Sequence, residues 1–207
     1  MEKQPVKPTT EAAPRIARSR TTTPRTQLDP TRWIETAIDV LAKEGVAGLR
    51  VEVLAKRCGV TKGSFYWHFK DRQALLEAVL EHWKAGRIRD IEKTTAVAPG
   101  GEREQLFFAI ELYGANRNRK GMSIELAVRD WARHDLRAAS FVEAVDLYRL
   151  ECTRRLFVAA GMSDAEAKSR SLLLYACVFG LSLMHYAGFD DNIADLKQRI
   201  AERIISG

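Results

Sequence analysis

The sequence predicts an all-α protein, and three observations support this fold class. Apolar residues recur at the three- and four-residue spacing of one helical face along most of the chain of 207 residues. Capping residues, glycines and prolines divide these stretches into helices, and no segment shows β-alternation of useful length. Apolar residues make up 46% of the composition, which is ample for a buried core. We expect short helices near the N terminus, followed by a bundle of longer ones.

Residues 1–28 predict a disordered basic arm. This segment holds six Lys and Arg against two Glu, together with four of the six prolines. Such a composition cannot bury enough apolar surface to order itself. Two interpretations stay open: an arm that adds salt-sensitive affinity for a polyanion, and a solvated tail.

The first helix is predicted to begin at Asp29-Pro30 and to end before Gly45. Aspartate is a favourable helix cap, and proline suits the first helical turn. The apolar stripe of this helix consists of Trp33, Ile34, Ala37, Ile38 and Leu41.

Residues 51–70, VEVLAKRCGVTKGSFYWHFK, predict two short helices hinged at Gly59. Glycine adopts the left-handed conformation past a helix end without a Cβ clash, so the chain can turn sharply there. Thr61 then begins the second helix, and its hydroxyl can cap the free amides of the next turn. Phe65 and Phe69 lie four residues apart and would enter the same core as the first of the two helices.

The second of these helices has a polar and partly aromatic outer face, which is typical of a helix that enters the major groove of DNA. The amides near Thr61 can meet phosphate, and Lys62 can donate to guanine. The alternative is that Tyr66 and Trp67 are ordinary core aromatics. The predicted DNA contacts are Arg50, Thr61, Lys62, Gly63, Ser64, Tyr66, Trp67, His68 and Lys70.

This motif resembles the tetracycline-repressor (TetR) family of bacterial transcription regulators. The resemblance is carried by residues 59–71, GVTKGSFYWHFKD, and extends from Thr31 to about Val79. One position departs from the family pattern, because Arg50 stands where a capping Ser or Thr is common; its guanidinium could reach a phosphate instead. The resemblance implies a sequence-specific transcriptional regulator, and in particular a repressor that a small-molecule effector releases from a palindromic operator.

Charge is distributed unevenly along the chain. Residues 1–73 carry 14 Lys and Arg against 8 Asp and Glu, whereas residues 74–207 carry 19 against 19. The whole formal charge of +6 therefore lies in the N-terminal third, where double-stranded DNA would bind.

We expect a helix-turn-helix DNA-binding domain over residues 29–73 and a ligand-binding and dimerisation domain over residues 74–207. Asp71 can cap a long fourth helix that connects the two domains. A break is expected at residues 97–101, VAPGG, and a capping box begins at Ser163. Helices beyond the break are predicted at residues 102–117, 122–134, 137–160, 163–188 and 191–205.

The helix predicted from Ser163 is apolar on nearly every side, so it must be buried all round. A monomer of this size rarely surrounds a helix so fully, and Gly180 in the helix interior is reasonable if it permits close helix approach. The resemblance implies the same homodimer, built on the last two helices; a purely internal core is the alternative. The predicted interface residues are Leu172, Tyr175, Ala176, Phe179, Gly180, Leu183, Leu196 and Ile200.

No motif in residues 102–207 identifies a ligand. The resemblance implies an effector site among the helices after the first domain, and an apolar cavity with a few polar groups would suit a hydrophobic or aromatic compound. Each candidate side chain could instead be packing in the core. The candidate effector residues are Trp83, Phe107, Trp131, His134, Tyr148, Phe179 and His185.

An all-helical, metal-dependent phosphohydrolase is the rival interpretation, because His134-Asp135 is similar to the metal-binding core of that class. Such a site needs further His and Asp ligands on neighbouring helices. The other histidines show no second His at the i+4 spacing, and the sequence has no P-loop, glycine-rich dinucleotide motif or G-x-S-x-G elbow. We therefore expect no catalytic residue, no metal and no cofactor.

Cys58, Cys152 and Cys177 form no C-x-x-C pair, which favours buried thiols in a reducing cytoplasm. The sequence opens on no secretory signal. Residues 172–189 are uncharged but barely long enough for a membrane span, and they contain a histidine and two glycines. We expect a buried or interface helix there, and a cytoplasmic protein.

Overall fold

The computed structural model describes residues 29–96, 101–108 and 119–206, apart from residues 103 and 187. These residues are helical or irregular and contain no strand, so the all-α prediction is confirmed. The helices are α1 (Pro30–Glu44), α2 (Val51–Cys58), α3 (Lys62–Phe65), α4 (Arg72–Thr95), α5 (Arg119–Ala132), α6 (Leu136–Ala159), α7 (Asp164–Leu183) and α8 (Ile193–Ser206). Residues 104–108 are also helical, and Val46–Gly48 form a 3-10 turn. The predicted arm, most of the predicted break and the second half of the helix predicted at 102–117 lie outside the described residues.

Capping residues set the ends of the N-terminal helices as predicted. The Asp29 carboxylate accepts a hydrogen bond from the Thr31 amide at 3.2 Å at the start of α1. Gly45 follows this helix with a φ of 67°. The Asp71 carboxylate accepts from the Ala74 amide at 2.8 Å and so caps α4. These side chains satisfy amides that have no partner within the helix.

The helix α7 begins as predicted but ends early. The Ser163 hydroxyl accepts from the Glu166 amide at 3.3 Å, which is half of the expected capping box. The helix ends at Leu183 rather than at residue 188, and the backbone of Met184 is extended. Among the described helices, none is long and apolar enough to cross a membrane.

Two clusters of buried side chains form the core. The first continues across the predicted domain boundary at residue 73, and it includes Trp33, Leu41, Leu54, Phe65, Leu75, Leu80, Trp83, Ile91, Val128, Trp131 and Val145. The second lies between α6, α7 and α8, and it includes Leu156, Phe157, Leu174, Tyr175, Val178, Ile204 and Ile205. The helix-turn-helix thus shares one core with the middle of the chain.

The three cysteines are free thiols, and each is half-buried rather than fully buried as expected. Burial raises the pKa of the Cys177 thiol. The Sγ atom of Cys58 lies 3.3 Å from the Thr36 hydroxyl, to which it donates between α2 and α1.

Candidate nucleic-acid interface

The turn between α2 and α3 depends on Gly59. This residue has a φ of 69° and a ψ of 27°, in the left-handed region that glycine adopts without a Cβ clash. The amide of Val60 donates to the carbonyl of Ala55 at 3.0 Å, which closes the end of α2. The chain then enters α3 at Lys62. The predicted helix-turn-helix is present.

Phe65 anchors α3 to the core. Its side chain is fully buried, and its ring centroid lies 5.4 Å from the centroids of both Trp33 and Phe69. Leu54 of α2 is fully buried in the same cluster, as the spacing predicts. This packing fixes the orientation of α3, because rotation of the helix would pull the Phe65 ring out of its enclosed site and leave a cavity.

Tyr66 and Trp67 project from the surface beside this anchor. Their side chains are 55% and 80% exposed. The alternative that both are core aromatics is therefore wrong for this chain. Two adjacent, exposed aromatic residues next to basic residues are typical of a contact surface.

The helix α3 is shorter than predicted. It covers only Lys62–Phe65, and residues 66–68 form a turn instead of continuing the helix. Thr61 occupies the cap position but makes no side-chain capping hydrogen bond, so that prediction is wrong. The Ser64 amide donates to the backbone carbonyl of Thr61 at 3.0 Å and is therefore already satisfied.

Lys62 forms an ion pair with Glu52 on the first turn of α2. Both side chains are about half exposed. Their hydrogen bond raises the pKa of Lys62 and lowers the pKa of Glu52, so both groups are charged at neutral pH. Lys62 was predicted from the sequence and Glu52 was not, because a turn separates the two residues and no short-range spacing rule connects them.

The other predicted contacts differ in their exposure. Arg50 and Lys70 are exposed, and Arg50 makes no capping hydrogen bond to α2. Ser64 and His68 are half-buried. The Nε2 atom of His68 is enclosed without a hydrogen-bond partner among the described residues, so contact between this nitrogen and DNA would require the ring to turn.

Gly63 sits at the exposed surface of α3. A Cβ atom added there would meet only the Thr61 hydroxyl, at 3.8 Å, which is an ordinary van der Waals contact. Packing against the described residues of this chain does not require glycine at this position.

Two ion pairs tie the N-terminal helices to the C-terminal ones. Lys120 of α5 lies 2.8 Å from Asp39 of α1, and this hydrogen bond raises the pKa of Lys120. Arg137 of α6 lies 2.9 Å from Glu77 of α4. A displacement of α5 or α6 would therefore reach α1 and α4, which share a buried cluster with α2 and α3.

Comparison with known proteins shows the family to which this chain belongs. Residues 34–79 match the model of the bacterial regulatory proteins of the tetR family. The tetracycline repressor protein class A from transposon 1721 of Escherichia coli is 31% identical over 166 residues, which cover 80% of this chain and 71% of that protein. The chain belongs to the TetR family. It is a DNA-binding transcriptional regulator.

Solved structures resemble this chain over most of its length and not in the helix-turn-helix alone. The reduced form of NemR from Escherichia coli has a TM-score of 0.71 and 16% identity, covering 86% of this chain and 97% of that one. A transcriptional regulator from Saccharomonospora viridis, solved in complex with choline, has a TM-score of 0.69 and 18% identity, covering 85% and 94%. At this level of identity the likeness concerns the fold alone.

Four charged side chains form a cluster between α5 and α6 that was not predicted from the sequence. Arg129 donates to Glu125 at 2.8 and 3.0 Å and to Asp146 at 2.5 and 2.8 Å. Arg149 donates to the same two carboxylates at 3.3 and 3.0 Å. Glu125 and Arg149 are only 3% exposed, and the Oε2 atom of Glu125 is enclosed with no hydrogen-bond partner in the described part of the chain. The spacing of Glu125 and Arg129 on one helical face was the signal available in the sequence.

A cleft adjoins this cluster and is lined by residues of α5, α6 and the turn between them. Its volume is about 420 Å³, and its walls are Arg129, Ala132, Arg133, Ala139, Val142, Glu143, Asp146 and Leu147. None of the seven candidate effector residues lines it.

The candidate effector residues do not converge on one site. Trp83, Trp131 and Tyr148 lie in or against the first buried cluster. Phe107 packs against the second, while His134 and His185 are exposed. Two of the polar groups are engaged elsewhere: the Tyr148 hydroxyl donates to Glu92 at 3.0 Å, and the Trp131 indole donates to Asp135 at 3.2 Å. The hydrogen bond to Glu92 raises the pKa of Tyr148 to about 12.

The predicted dimer residues divide into two groups. Leu172, Ala176 and Leu183 of α7 are exposed, and a Cβ atom at Gly180 would meet no atom of the described residues within 4 Å. Leu196 and Ile200 of α8 are half-exposed. The other two point inward: the buried Tyr175 hydroxyl is hydrogen-bonded to Thr153 at 3.0 Å, and the Phe179 ring lies 4.1 Å from the Arg129 guanidinium.

The phosphohydrolase alternative finds no support. Asp135 caps α6, where its carboxylate accepts from the amides of Arg137 and Ala138 at 2.9 and 3.0 Å, and these bonds, the one from Ala138 above all, lower its pKa. His134 is exposed in the turn before it. The described residues contain no group of His, Cys, Asp and Glu side chains arranged to hold a metal ion.

Proposed function

We propose that this TetR-family regulator is a homodimeric repressor that binds a palindromic operator and leaves it when a small molecule binds. The observation that carries the proposal is the exposed surface of Tyr66 and Trp67 beside basic residues of the helix-turn-helix. A protein that exposes this surface in the free state gains by covering it with DNA.

The proposed contacts have two kinds of partner. Tyr66 and Lys70 donate to phosphate oxygens, and Arg50 reaches a phosphate beside α2. Lys62 donates to a guanine edge, while Trp67 contacts a thymine methyl. Thr61, Ser64 and His68 complete the surface. Gly63 lets the DNA backbone approach, which agrees with the absence of any packing reason for glycine there among the described residues.

The proposed dimer uses the exposed stripe of α7, with Leu172, Ala176, Gly180 and Leu183, together with α8. Apolar side chains exposed along a helix favour burial against a second chain. The small residues Ala176 and Gly180 would let the two copies of α7 approach closely. Two identical subunits bind two identical half-sites in opposite orientation, so the operator is palindromic.

The proposed effector is a small hydrophobic or aromatic compound. The neighbour solved with choline supports a ligand site in a protein of this fold. Binding between the C-terminal helices would move α4, and with it the two DNA-binding surfaces of the dimer. Because both surfaces must match half-sites at a fixed separation, a shift of a few ångströms weakens the complex.

Selection of binding sequences from randomised double-stranded DNA tests the proposal. The full chain should enrich an inverted repeat, and the enriched DNA should compete with random DNA of equal length. The double variant Trp67→Ala/Lys70→Ala provides the control, since both side chains are exposed and their loss should leave the fold intact. A DNA pool that shows no inverted repeat after several rounds contradicts the proposal. Equal enrichment by the control variant contradicts it as well.

The effector part has its own test. A compound that releases the selected DNA must bind the DNA-bound protein more weakly than the free protein. The factor must equal the one by which the compound lowers the affinity for DNA. Calorimetric titration of that compound with and without saturating DNA measures both affinities. Equal affinities would show that the compound does not act through this coupling.

A further inference from the structure

The ion pair between Glu52 and Lys62 places a carboxylate within the proposed DNA surface. Glu52 lies on the first turn of α2, and Lys62 is the first residue of α3. The side chains of both remain about half exposed to solvent, at 63% and 52%. An acidic residue at this place needs an explanation, because it faces the partner that carries the same charge.

The pair leaves part of the lysine available. The ammonium group of Lys62 has three N–H donors, of which one is used by Glu52. The remaining donors can reach either a phosphate oxygen or the O6 and N7 atoms of guanine. The two choices differ in charge, since a phosphate is an anion and a base edge is neutral.

This difference makes Glu52 selective. A phosphate bound to Lys62 would come within a few ångströms of the Glu52 carboxylate, and the two negative charges would repel each other. A guanine edge at the same position carries no net charge and feels no such repulsion. The Glu52 carboxylate therefore weakens the contact of Lys62 with phosphate, which every DNA sequence offers. It does not weaken the contact of Lys62 with a guanine edge, which depends on the sequence.

We propose that Glu52 is a specificity-determining residue that directs Lys62 to a base edge by excluding phosphate from it. This inference rests on the proposed function, in which Lys62 reads a base. Glu52 acts on Lys62 and need not touch DNA itself, so it is a positioning residue.

The chain offers a matched control for the test. Glu44 of α1 forms an ion pair with Arg57 of α2 within the same helix-turn-helix, and both of these side chains are about 40% exposed. Glu52→Gln and Glu44→Gln change the net charge equally, so a difference between them depends on where the lost carboxylate lies and not on net charge. Thermal unfolding of each variant confirms that the fold is kept.

The experiment measures the affinity of both variants for random DNA and for the selected operator over a range of salt concentrations. Glu52→Gln should raise the affinity for random DNA about threefold to tenfold more than Glu44→Gln does. It should change the affinity for the operator less than twofold. The slope of log K against log salt for random DNA should steepen by about 0.9, as expected for one additional phosphate contact. In a Lys62→Gln background, the effect of the Glu52→Gln substitution on random-DNA affinity should largely disappear.

Four results would overturn the inference. Equal effects of the two substitutions on random DNA would reduce Glu52 to an ordinary surface charge. An unchanged effect in the Lys62→Gln background would show that Glu52 does not act through Lys62. A wild-type chain that binds operator and random DNA equally would refute the proposed function, whereas a preserved preference that Glu52→Gln does not alter refutes only the role of Glu52.

Discussion

Arg72, the first residue of α4, is hydrogen-bonded to the backbone carbonyl of Leu49, which lies just before the helix-turn-helix. The distance from Nε of Arg72 to this oxygen is 2.6 Å, and Nη2 lies 3.1 Å from the carbonyl of Val46. The side chain of Leu49 is fully buried, so its carbonyl has little access to solvent as a substitute partner. The connecting helix and the DNA-binding helices are thus joined by a charged hydrogen bond as well as by the shared core.

We expect Arg72→Met to destabilise the helix-turn-helix. Loss of a charged donor to a buried carbonyl lowers the free energy of unfolding by about 1.5–3 kcal/mol. Urea denaturation measures this change, and DNA affinity should fall with it. Arg32→Met is the control, because the guanidinium of Arg32 lies 3.9 Å from the carboxylate of Glu35, beyond hydrogen-bond distance. Equal unfolding midpoints for the two variants would contradict the role given to Arg72.

Tyr66→Phe and Lys70→Ala should each weaken binding to operator and to random DNA by similar factors. Both contacts are assigned to phosphates, which are the same in every sequence. For Lys70→Ala, the slope of log K against log salt should become shallower by about 0.9. A changed base preference with an unaltered salt slope would exclude the phosphate assignment for Lys70.

Gly180→Arg and Leu183→Glu should each convert the proposed dimer to monomers and strongly reduce operator binding. Both positions lie on the exposed stripe of α7, where an unpaired charge would be buried against the second subunit. Leu136→Glu provides the control, because Leu136 is 92% exposed at the start of α6 and outside this stripe. Sedimentation velocity at micromolar concentration distinguishes the states. A monomeric wild type would refute the dimer.

Acid should weaken ion pairs within α6 and the ion pair between α6 and α7. Hydrogen bonds from Arg154 and Arg155 lower the pKa of Glu151 to about 2, and Asp164 also has a lowered pKa because Lys168 and Arg154 donate to it. Groups with a lowered folded-state pKa stabilise the fold at higher pH, and this contribution is lost as pH falls through the folded-state value. The melting temperature should therefore fall between about pH 4.5 and pH 2.

The variant Arg154→Met tests the origin of this acid sensitivity. It removes the ion pair of 2.6 Å between Arg154 and Asp164 and one of the two arginine partners of Glu151. The decline in melting temperature below pH 4.5 should be smaller in this variant than in the wild type. Parallel profiles for the two proteins would assign the acid sensitivity to other carboxylates.

Local features of the fold could be predicted from the sequence. Asp29, Asp71 and Ser163 cap helices because a short side chain meets an amide two or three residues away, and spacing alone decides that contact. Gly59 ends α2 for a similarly local reason. The same reasoning predicted a cap at Thr61, and that prediction was wrong. The Ser64 amide donates its hydrogen bond to the backbone carbonyl of Thr61 and not to the hydroxyl.

Contacts between distant residues could not be predicted in the same way. Arg129 meets Asp146 across two helices, and Lys62 meets Glu52 across a turn, so each pair depends on how the helices cross rather than on spacing. For the same reason the inward orientation of Tyr175 and Phe179 was missed on a helix that is apolar on nearly every side. Periodicity cannot distinguish the faces of such a helix.

Trp67 offers the most direct measurement of the central claim that this surface binds DNA. The chain has four tryptophans, and the other three, Trp33, Trp83 and Trp131, are at most 4% exposed. Quenching of tryptophan fluorescence by acrylamide therefore reports mainly on Trp67, and Trp67→Phe supplies the background from the buried three. The account predicts that saturating operator DNA reduces the quenching of the wild type nearly to that background. Undiminished quenching of wild-type protein in the presence of saturating, bound DNA would contradict it.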